Sequence, residues 1–237
     1  MLTYYSTAEE IETAGIDTAV LPIGSTEQHG PHLPIGTDFL IAGEIAAAVS
    51  KRIGSLLLPA LPISTCREHK GSWGSVWMNS DTFYHMIRDI TESLRVQGFR
   101  RLILVIAHGG VFIAGPVVRE INSDSSDIKL IRVDLANFMS SDEMGQILEF
   151  NNNLHACESE TSLMLYLNES LVKKDRIEDC VPEVPRDYLN YGSVLKFSKN
   201  GVWGKPSLAS KEKGEKIFDL LVKKSIDYIT DVNRILK

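Results

Sequence analysis

The sequence predicts one α/β domain over residues 1–237, with a mainly parallel central sheet flanked by helices. Apolar runs of strand length alternate with segments of helical period, which is the pattern of βα units. Hydrophobic residues make up 43% of the chain, which is enough for a core and excludes a disordered protein. A length of 237 residues fits one domain, because α/β folds often exceed about 200 residues.

Four short apolar runs predict the strands. The strongest is LILVIA at 102–107, a continuous apolar run typical of a central parallel strand that is covered on both faces. In the first run, Pro22 lacks a backbone donor and indicates an edge strand or a strand end. In chain order, the predicted strands cover residues 19–23, 56–59, 102–107 and 129–133.

Five segments of helical period predict the helices. The first is rich in alanine, and Thr37 or Asp38 is placed to cap it. The second carries an apolar stripe at helical spacing and ends at Gly98. In chain order, the predicted helices cover residues 39–53, 81–97, 112–121, 158–171 and 211–236.

Charge and cysteine content restrict the function classes. With 25 Lys+Arg against 31 Asp+Glu, the chain is modestly acidic and has no basic cluster, which argues against nucleic acid or a membrane surface as a partner. Three scattered cysteines without a C-x-x-C pair predict neither disulfides nor a thiolate zinc site. With no signal segment and no apolar run of about 20 residues, we expect a cytoplasmic protein that acts on small molecules.

The segment GSTEQHGPHLPIGTD at 24–38 lies between the first strand and the first helix. Alternate residues of an extended chain point to one side, so Glu27 and His29 can present an oxygen and a nitrogen to the same place. Asp38 stands at the start of the next helix, where the helix dipole favours its ionised form. A carboxylate in that position can bridge two metal ions.

His108 follows the strongest strand, and two glycines behind it permit close backbone approach. Parallel sheets place their sites at the carboxyl ends of strands, so we expect His108 to lie beside the 24–38 segment. Together with Glu27, His29 and Asp38 it makes a set of nitrogen and oxygen donors without a thiolate. Such a set fits Zn²⁺ first, and Mn²⁺ or Fe²⁺ as well.

A further group, HACESETS at 155–162, opens a predicted helix. His155 and Glu160 can meet across about one turn. A histidine is suited to proton transfer because its ordinary pKa lies near neutrality. His155 and Glu160 are therefore candidate catalytic residues, with helix capping as the alternative explanation.

Taken together, these motifs resemble the creatininase (creatinine amidohydrolase) family. The resemblance depends on the segments 24–38, 108–110, 155–162 and GVWGKPSLAS at 201–210. It implies a binuclear metal-dependent hydrolase that cleaves a non-peptide amide or related C–N bond of a small molecule. It further implies two divalent metal ions per chain and often a homohexamer.

Carried over by position, the resemblance implies metal ligands at Glu27, His29, Asp38 and His108, with Asp38 as the bridging carboxylate. It places the catalytic histidine at His155 and an acid at Glu160.

Several positions depart from the family pattern. Creatininase has a ligand glutamate where this chain has Gly110. Glu160 is the first candidate for a metal ligand that replaces it, and Glu158 is the second. A tryptophan of the creatinine pocket is Asn151 here, so creatinine is not the expected substrate. The peptidase and deformylase branches share the HGG form at 108–110 and remain alternatives, but they usually have asparagine where this chain has Val111, so it need not belong to either.

Two functions from other classes remain open. One is a family member that has lost catalysis and serves as a binding or assembly subunit, which Gly110 and Val111 suggest. The other is a Rossmann-like protein that holds a phosphate at 108–110, although the chain lacks a G-x-G-x-x-G pattern.

The remaining polar candidates have simpler interpretations. His32 is expected to hold its loop through hydrogen bonds, and His85 to lie on the surface of a helix. Glu68 and His69 form either a wall of the pocket or part of a surface loop. Cys157 is expected to be a small buried thiol.

Overall fold

Five parallel strands form the centre of the computed structural model, which describes residues 1–236. The strands are β1 Leu2–Thr3, β2 Thr18–Ile23, β3 Leu56–Leu57, β4 Arg101–Ile106 and β5 Lys129–Asp134. They lie in the order β1-β3-β2-β4-β5, and each neighbouring pair is parallel. The predicted α/β fold with a parallel sheet and flanking helices is thereby confirmed.

Helices cover both faces of the sheet. The helices are α1 Ala8–Thr13, α2 Thr37–Ile53, α3 Ser80–Val96, α4 Ala114–Asp124, α5 Asp142–Gly145, α6 Glu158–Asn168, α7 Val194–Phe197 and α8 Lys211–Ile235. Because side chains alternate along a strand, Val20 and Ile103 pack with α2, α6 and α8, while Leu21 and Leu104 pack with α3 and α4. Among residues 1–236, no helix has both the length and the apolar character required to cross a membrane.

The two central strands position the functional residues. β2 and β4 pair along their whole length, from Thr18 opposite Arg101 to Ile23 opposite Ile106. Their carboxyl ends therefore lie side by side at one edge of the sheet. The loops that follow these two strands carry the motifs singled out in the sequence.

Some local predictions need correction. Pro22 marks a strand end and not an edge, because β2 lies between β3 and β4; its carbonyl accepts from the Leu61 N–H at 2.9 Å. Gly36 is the N-cap of α2, so Thr37 and Asp38 lie inside its first turn. The predicted strand at 56–59 contains only two paired residues. β1 and α1 were not anticipated, since two paired residues and six helical ones leave little periodicity to detect.

Candidate metal centre

The loop between β2 and α2 buries two candidate ligands. Glu27 and His29 have no exposed surface, and the Glu27 main-chain N–H donates to the Ile35 carbonyl at 2.9 Å, which closes the loop. Gly24 lets the loop pass against α2, because a Cβ there would lie 2.4 Å from the Phe39 backbone. The His29 Nδ1–H donates to the Glu27 carbonyl at 3.1 Å, so Nε2 faces the interior.

Asp38 and His108 reach the same place from α2 and from the end of β4. Asp38 Oδ1 hydrogen-bonds His29 Nε2 at 3.1 Å. The His108 Nε2–H donates to the Thr65 carbonyl at 3.1 Å. This orientation leaves His108 Nδ1 3.1 Å from both Glu27 Oε2 and Asp38 Oδ2.

His155 and Glu160 approach from the start of α6. The His155 Nε2–H donates to the Gln28 carbonyl at 2.6 Å, and Nδ1 lies 3.6 Å from Glu27 Oε1. Glu160 Oε1 lies 3.8 Å from His29 Nε2. The two candidate catalytic residues therefore lie in the same cluster as the candidate ligands.

A tight turn before α6 sets these positions. Ala156 adopts the left-handed region at φ 48°, and an antiparallel bridge joins His155 to Trp203. Glu160 Oε2 accepts from the Cys157 main-chain N–H at 3.3 Å. Cys157 is buried, as expected for a small thiol.

The donors form three overlapping groups, each with its ligand atoms within 4.8 Å of one another. These groups are Glu27 with Asp38 and His108, His29 with Asp38 and Glu160, and Glu27 with His29 and His155. Asp38 belongs to the first two groups. One carboxylate thus lies where it can serve two cations.

Three of the four carboxylate oxygens of Glu27 and Asp38 lack the hydrogen bonds that buried polar atoms normally make. Within residues 1–236, neither Glu27 oxygen nor Asp38 Oδ2 has a hydrogen-bond partner, although imidazole nitrogens lie 3.1 Å away. Nitrogen and oxygen atoms this close, without hydrogen-bond alignment, are arranged as ligands are around a cation. Carboxylates and imidazoles together suit Zn²⁺ or Mn²⁺.

Burial and close contacts shift the pKa values of the cluster. Burial raises the pKa of Glu27 to about 7. Burial opposes protonation of His29 and His108, but the neighbouring Asp38 and Glu27 carboxylates raise the pKa of both rings well above its usual value. Burial lowers the pKa of His155 to about 4, so this ring is neutral at pH 7 and carries a lone pair on Nδ1.

Glu68 and His69 lie against the cluster and not in a surface loop. His69 is 2% exposed, its Nε2 lies 3.1 Å from Glu27 Oε1, and its Nδ1 accepts from Gln28 Nε2 at 3.1 Å. Glu68 Oε1 lies 3.3 Å from His108 Nε2. The only signal for them in the sequence was an acid and a histidine in adjacent positions before a Gly/Ser/Trp loop.

The other polar candidates have structural roles. Glu158 pairs with Lys213 Nζ at 2.6 Å, and it belongs to none of the three donor groups. His32 is buried and hydrogen-bonds Thr161 Oγ1 at 2.8 Å, which confirms its predicted role. His85 is exposed on α3, also as predicted.

Three adjoining cavities lie at the cluster or beside it. The cluster itself lines a small cavity of about 50 Å³, with Leu154 and Trp203 among its walls. An open groove of about 610 Å³ and an apolar pocket of about 180 Å³ lie beside it. Arg186 lines all three and therefore stands where they meet.

Comparisons with known proteins agree with this geometry. A family model described as "Creatininase: Creatinine amidohydrolase" matches residues 4–229. The chain is similar to a creatinine amidohydrolase of Pseudomonas putida, with 29% identity over 236 residues that cover 92% of this chain and 90% of the relative. It is 28% identical to a mycofactocin precursor peptide peptidase of Mycobacterium ulcerans (strain Agy99), covering 86% of this chain and 80% of the relative.

Solved structures of two metal forms are similar to the whole chain. A Zn-Zn form of a mutant creatininase superposes with a TM-score of 0.84 at 26% identity, covering 97% of each chain. A manganese form of creatininase superposes with a TM-score of 0.83 at 26% identity, covering 97% of this chain and 98% of the other.

Proposed function

This chain belongs to the creatininase family, and from that premise we propose that it is a binuclear metal-dependent amidohydrolase. Its substrate is a small molecule with a non-peptide amide, cyclic or open, or a related C–N bond. The observation that carries the proposal is the convergence of buried carboxylates and imidazoles from β2, α2, β4 and α6 on one small cavity.

The side chains present fit a pair of divalent cations. Glu27, Asp38 and His108 would hold one ion, and His29, Asp38 and Glu160 the other. The fit is supported by the unpartnered oxygens of Glu27 and Asp38, since burial of an uncompensated carboxylate is strongly unfavourable. When bound, such ions lower the pKa of a water molecule and polarise the substrate carbonyl. Zn²⁺ is the first candidate, and Mn²⁺ or Fe²⁺ the alternatives.

His155 is the proposed proton carrier. The Gln28 carbonyl fixes its Nε2–H at 2.6 Å, so the Nδ1 lone pair faces Glu27 and the cavity. A neutral imidazole in this position can take a proton from the attacking water and pass it to the leaving nitrogen. Glu160 Oε1, which lies 3.8 Å from His29 Nε2, adds negative charge to the same cluster.

Creatinine itself is not the proposed substrate. Asn151, which stands where the resemblance places a pocket tryptophan, is exposed and does not line the cavity. The aromatic side chain of the cavity is instead Trp203, which is 1% exposed. A pocket built differently around the same donors is expected to select a different amide.

Peptide hydrolysis is a second candidate, favoured by one observation. The groove of about 610 Å³ shares Glu68 and Arg186 with the small cavity, so an extended chain in the groove can bring an amide to the cluster. Activity on short peptides but not on lactams, formamides and simple amides would select this branch.

Metal content and hydrolysis test the proposal together. We expect elemental analysis of the purified protein to find about two divalent ions per chain, and Asp38→Asn to lose them. Asp81→Asn is the matched control, because Asp81 also lies in the first turn of a helix but is exposed. Protein that takes up none of Zn²⁺, Mn²⁺ or Fe²⁺ would overturn the proposal, and bound metal without turnover of any amide would indicate an inactive family member.

The role of His155 has its own test. His155→Ala should abolish hydrolysis while metal content is retained, and His85→Ala, a surface histidine, should change neither. Full turnover in His155→Ala would remove it from the mechanism. A homo-oligomer, a hexamer by resemblance, is also proposed, and light scattering of the purified protein would measure its mass.

A further inference from the structure

Gly110 has no room for a side chain, because the carboxylate of Glu68 occupies the space. A Cβ on Gly110 would lie 2.0 Å from Glu68 Oε1 and 2.4 Å from His108 Nε2. Glu68 reaches this place from the turn at Arg67–His69, which is far from residue 110 in sequence. A glycine at 110 and a glutamate at 68 are therefore structurally coupled.

Glu68 stands on the side of His108 that faces away from the other carboxylates. Its Oε1 lies 3.3 Å from Nε2, whereas Glu27 and Asp38 lie 3.1 Å from Nδ1. The Thr65 carbonyl accepts the Nε2 hydrogen at 3.1 Å and so fixes the orientation of the ring. A negative charge behind an imidazole makes its opposite nitrogen a better donor to a cation.

We propose that Glu68 is a positioning residue of the metal centre. From a remote part of the chain it supplies a carboxylate to the space where Gly110 has no side chain, and through His108 it strengthens cation binding by the group of Glu27, Asp38 and His108. This inference rests on the proposed function, since it requires a cation at that group.

Substitution of Glu68 by glutamine tests the inference, because it removes the charge and preserves the size. We expect the affinity of metal-depleted protein for Mn²⁺, measured by competition with a chromogenic chelator, to fall about 10- to 100-fold. Asp187→Asn is the control: Asp187 lines the same groove but makes no contact with His108, so affinity should not change. Wild-type affinity in Glu68→Gln would overturn the inference. A wild-type protein that binds no Mn²⁺ would overturn the proposed function instead.

The coupling to Gly110 gives a second test. In Gly110→Ala the new methyl group displaces the Glu68 carboxylate and also meets the His108 ring, so we expect Mn²⁺ affinity to fall at least as far as in Glu68→Gln. The double variant should lose less than the sum of the two separate losses, because both substitutions remove the same contact. Additive losses, in proteins shown by circular dichroism to be folded, would contradict the coupling.

A different feature, the apolar pocket, carries an inference about the substrate. The pocket has a volume of about 180 Å³ and shares Leu154 and Glu160 with the cavity of the cluster. Leu135, Leu163 and Leu221 give it mainly apolar walls, to which polar side chains such as Ser159 also contribute. For comparison, an apolar cavity of about 150 Å³ can hold benzene.

Arg186 adds a positive charge at the junction of the three cavities. Its Nη2 donates to the Gly109 carbonyl at 3.0 Å, and its guanidinium lies 5.6 Å from the Phe112 ring centroid. Arg186 is exposed, and among residues 1–236 its guanidinium hydrogen-bonds only the Gly109 carbonyl, so its remaining donors are open to an anionic group of a ligand.

We infer that the substrate carries an aliphatic group about as large as a leucine side chain and a carboxylate near the bond that is cleaved. The aliphatic group enters the apolar pocket, and the carboxylate pairs with Arg186. This inference also rests on the proposed function, since it takes the cluster as the place where the amide binds.

Calorimetry of hydroxamate binding to metal-loaded protein tests the aliphatic group and the carboxylate separately. Hydroxamates are suitable probes because they chelate divalent ions. 4-Methylpentanohydroxamate should bind at least about tenfold more tightly than acetohydroxamate. Ala136→Phe should abolish this gain by filling the pocket from its exposed rim, whereas Asn137→Phe, at the next exposed position, should not. Succinate monohydroxamate should bind about tenfold more tightly than acetohydroxamate, and Arg186→Gln should remove that gain in affinity.

Equal affinities for all three compounds would overturn the inferred substrate class. Absence of binding even by acetohydroxamate would instead count against the metal centre, and so against the proposed function.

Discussion

The first turn of α6 carries two carboxylates, Glu158 and Glu160, in opposite surroundings. Glu158 is fully buried, accepts from Lys213 Nζ at 2.6 Å and receives three further hydrogen bonds from the segment 149–153. Glu160 lies only two residues further on, yet its Oε1 faces His29 Nε2 at 3.8 Å across the small cavity. One helix turn thus contributes to two clusters of buried charge.

The difference between these clusters separates a structural role from a functional one. In the lysine cluster, made of Glu158, Lys213 and the segment 149–153, each carboxylate oxygen of Glu158 has a donor, and the contacts join the segment to α8. In the metal cluster, made of Glu27, His29, Asp38, His108 and Glu160, three carboxylate oxygens have none within residues 1–236. A carboxylate whose oxygens are all hydrogen-bonded holds the fold together, and carboxylate oxygens without a hydrogen bond are available to a ligand.

Asp38→Asn should have the largest effect on activity, and its effects should be limited to the metal cluster. We expect hydrolysis to fall by at least about a thousandfold, because several kcal/mol of transition-state stabilisation are lost. The metal-free variant should lose at most about 3 kcal/mol of unfolding free energy in urea relative to metal-free wild type, since the substitution removes only the charge from the Asp38 Oδ1 contact with His29 Nε2 at 3.1 Å. A large loss of stability without metal would show that Asp38 has a structural role.

Lys213→Met should affect only the lysine cluster. It leaves the buried Glu158 charge without its cation, so we expect the free energy of unfolding to fall by about 3 kcal/mol in urea titrations. Lys224→Met is the control on the same helix: Lys224 pairs with the exposed Glu143, and its loss should be below about 1 kcal/mol. A changed metal content in Lys213→Met would contradict the separation of the two clusters.

Chelation should destabilise the wild type through the metal cluster alone. Relative to protein in free metal at 100 times its Kd, we expect removal of the metal to lower the free energy of unfolding by about 2.7 kcal/mol for each ion, or about 5.4 kcal/mol for two independent sites. Asp38→Asn should show no such change, and Lys213→Met should show all of it. Identical melting temperatures of wild type with and without chelator would contradict a metal-stabilised cluster.

Above about pH 7.5, where an ordinary histidine is already neutral, stability should depend on pH more through the metal cluster than through the lysine cluster. Carboxylates raise the pKa of His29 and His108 despite burial, so metal-free protein is stabilised at low pH and loses that stability as pH rises through the raised values. Metal must displace these protons, so affinity should rise with pH. Burial opposes the charge of Lys213, but Glu149 and Glu158 raise its pKa above 10.5, so its contribution persists to higher pH.

Calorimetry of metal binding in two buffers of different ionisation enthalpy would count the released protons. A binding enthalpy independent of the buffer would mean that the imidazoles are already free of protons.

Most of the fold was predictable because it depends on short-range patterns. β4 was evident from its unbroken apolar run, and α2 and α8 from their composition and period. The ends of the helices were less predictable. The α4 helix starts at Ala114 and not at 112, and α6 ends at Asn168 and not at 171, because a tighter turn covers Glu169–Leu171. Tertiary contacts decide such boundaries, and local propensity does not encode them.

The candidate site was predictable where its residues share a motif. Glu27, His29 and Asp38 lie in one segment, and strand ends place His108 beside them. Glu68 and His69 could not be assigned from spacing, because their position depends on long-range contacts such as the one between His69 and Gln28. The carboxylate that fills the space beside Gly110 therefore comes from a segment that sequence alone did not connect to it.

The pairing of β2 with β4 also makes the metal centre a check on correct folding. Ile23 lies opposite Ile106, and the candidate ligands Glu27 and His108 follow within a few residues. A slip of two residues would keep the same apolar faces but displace the two strands by about 6.6 Å. That shift would pull His108 out of reach of Glu27, so a misregistered chain has no place for a cation. Bound metal would thus selectively stabilise the one register in which the sheet is correctly assembled.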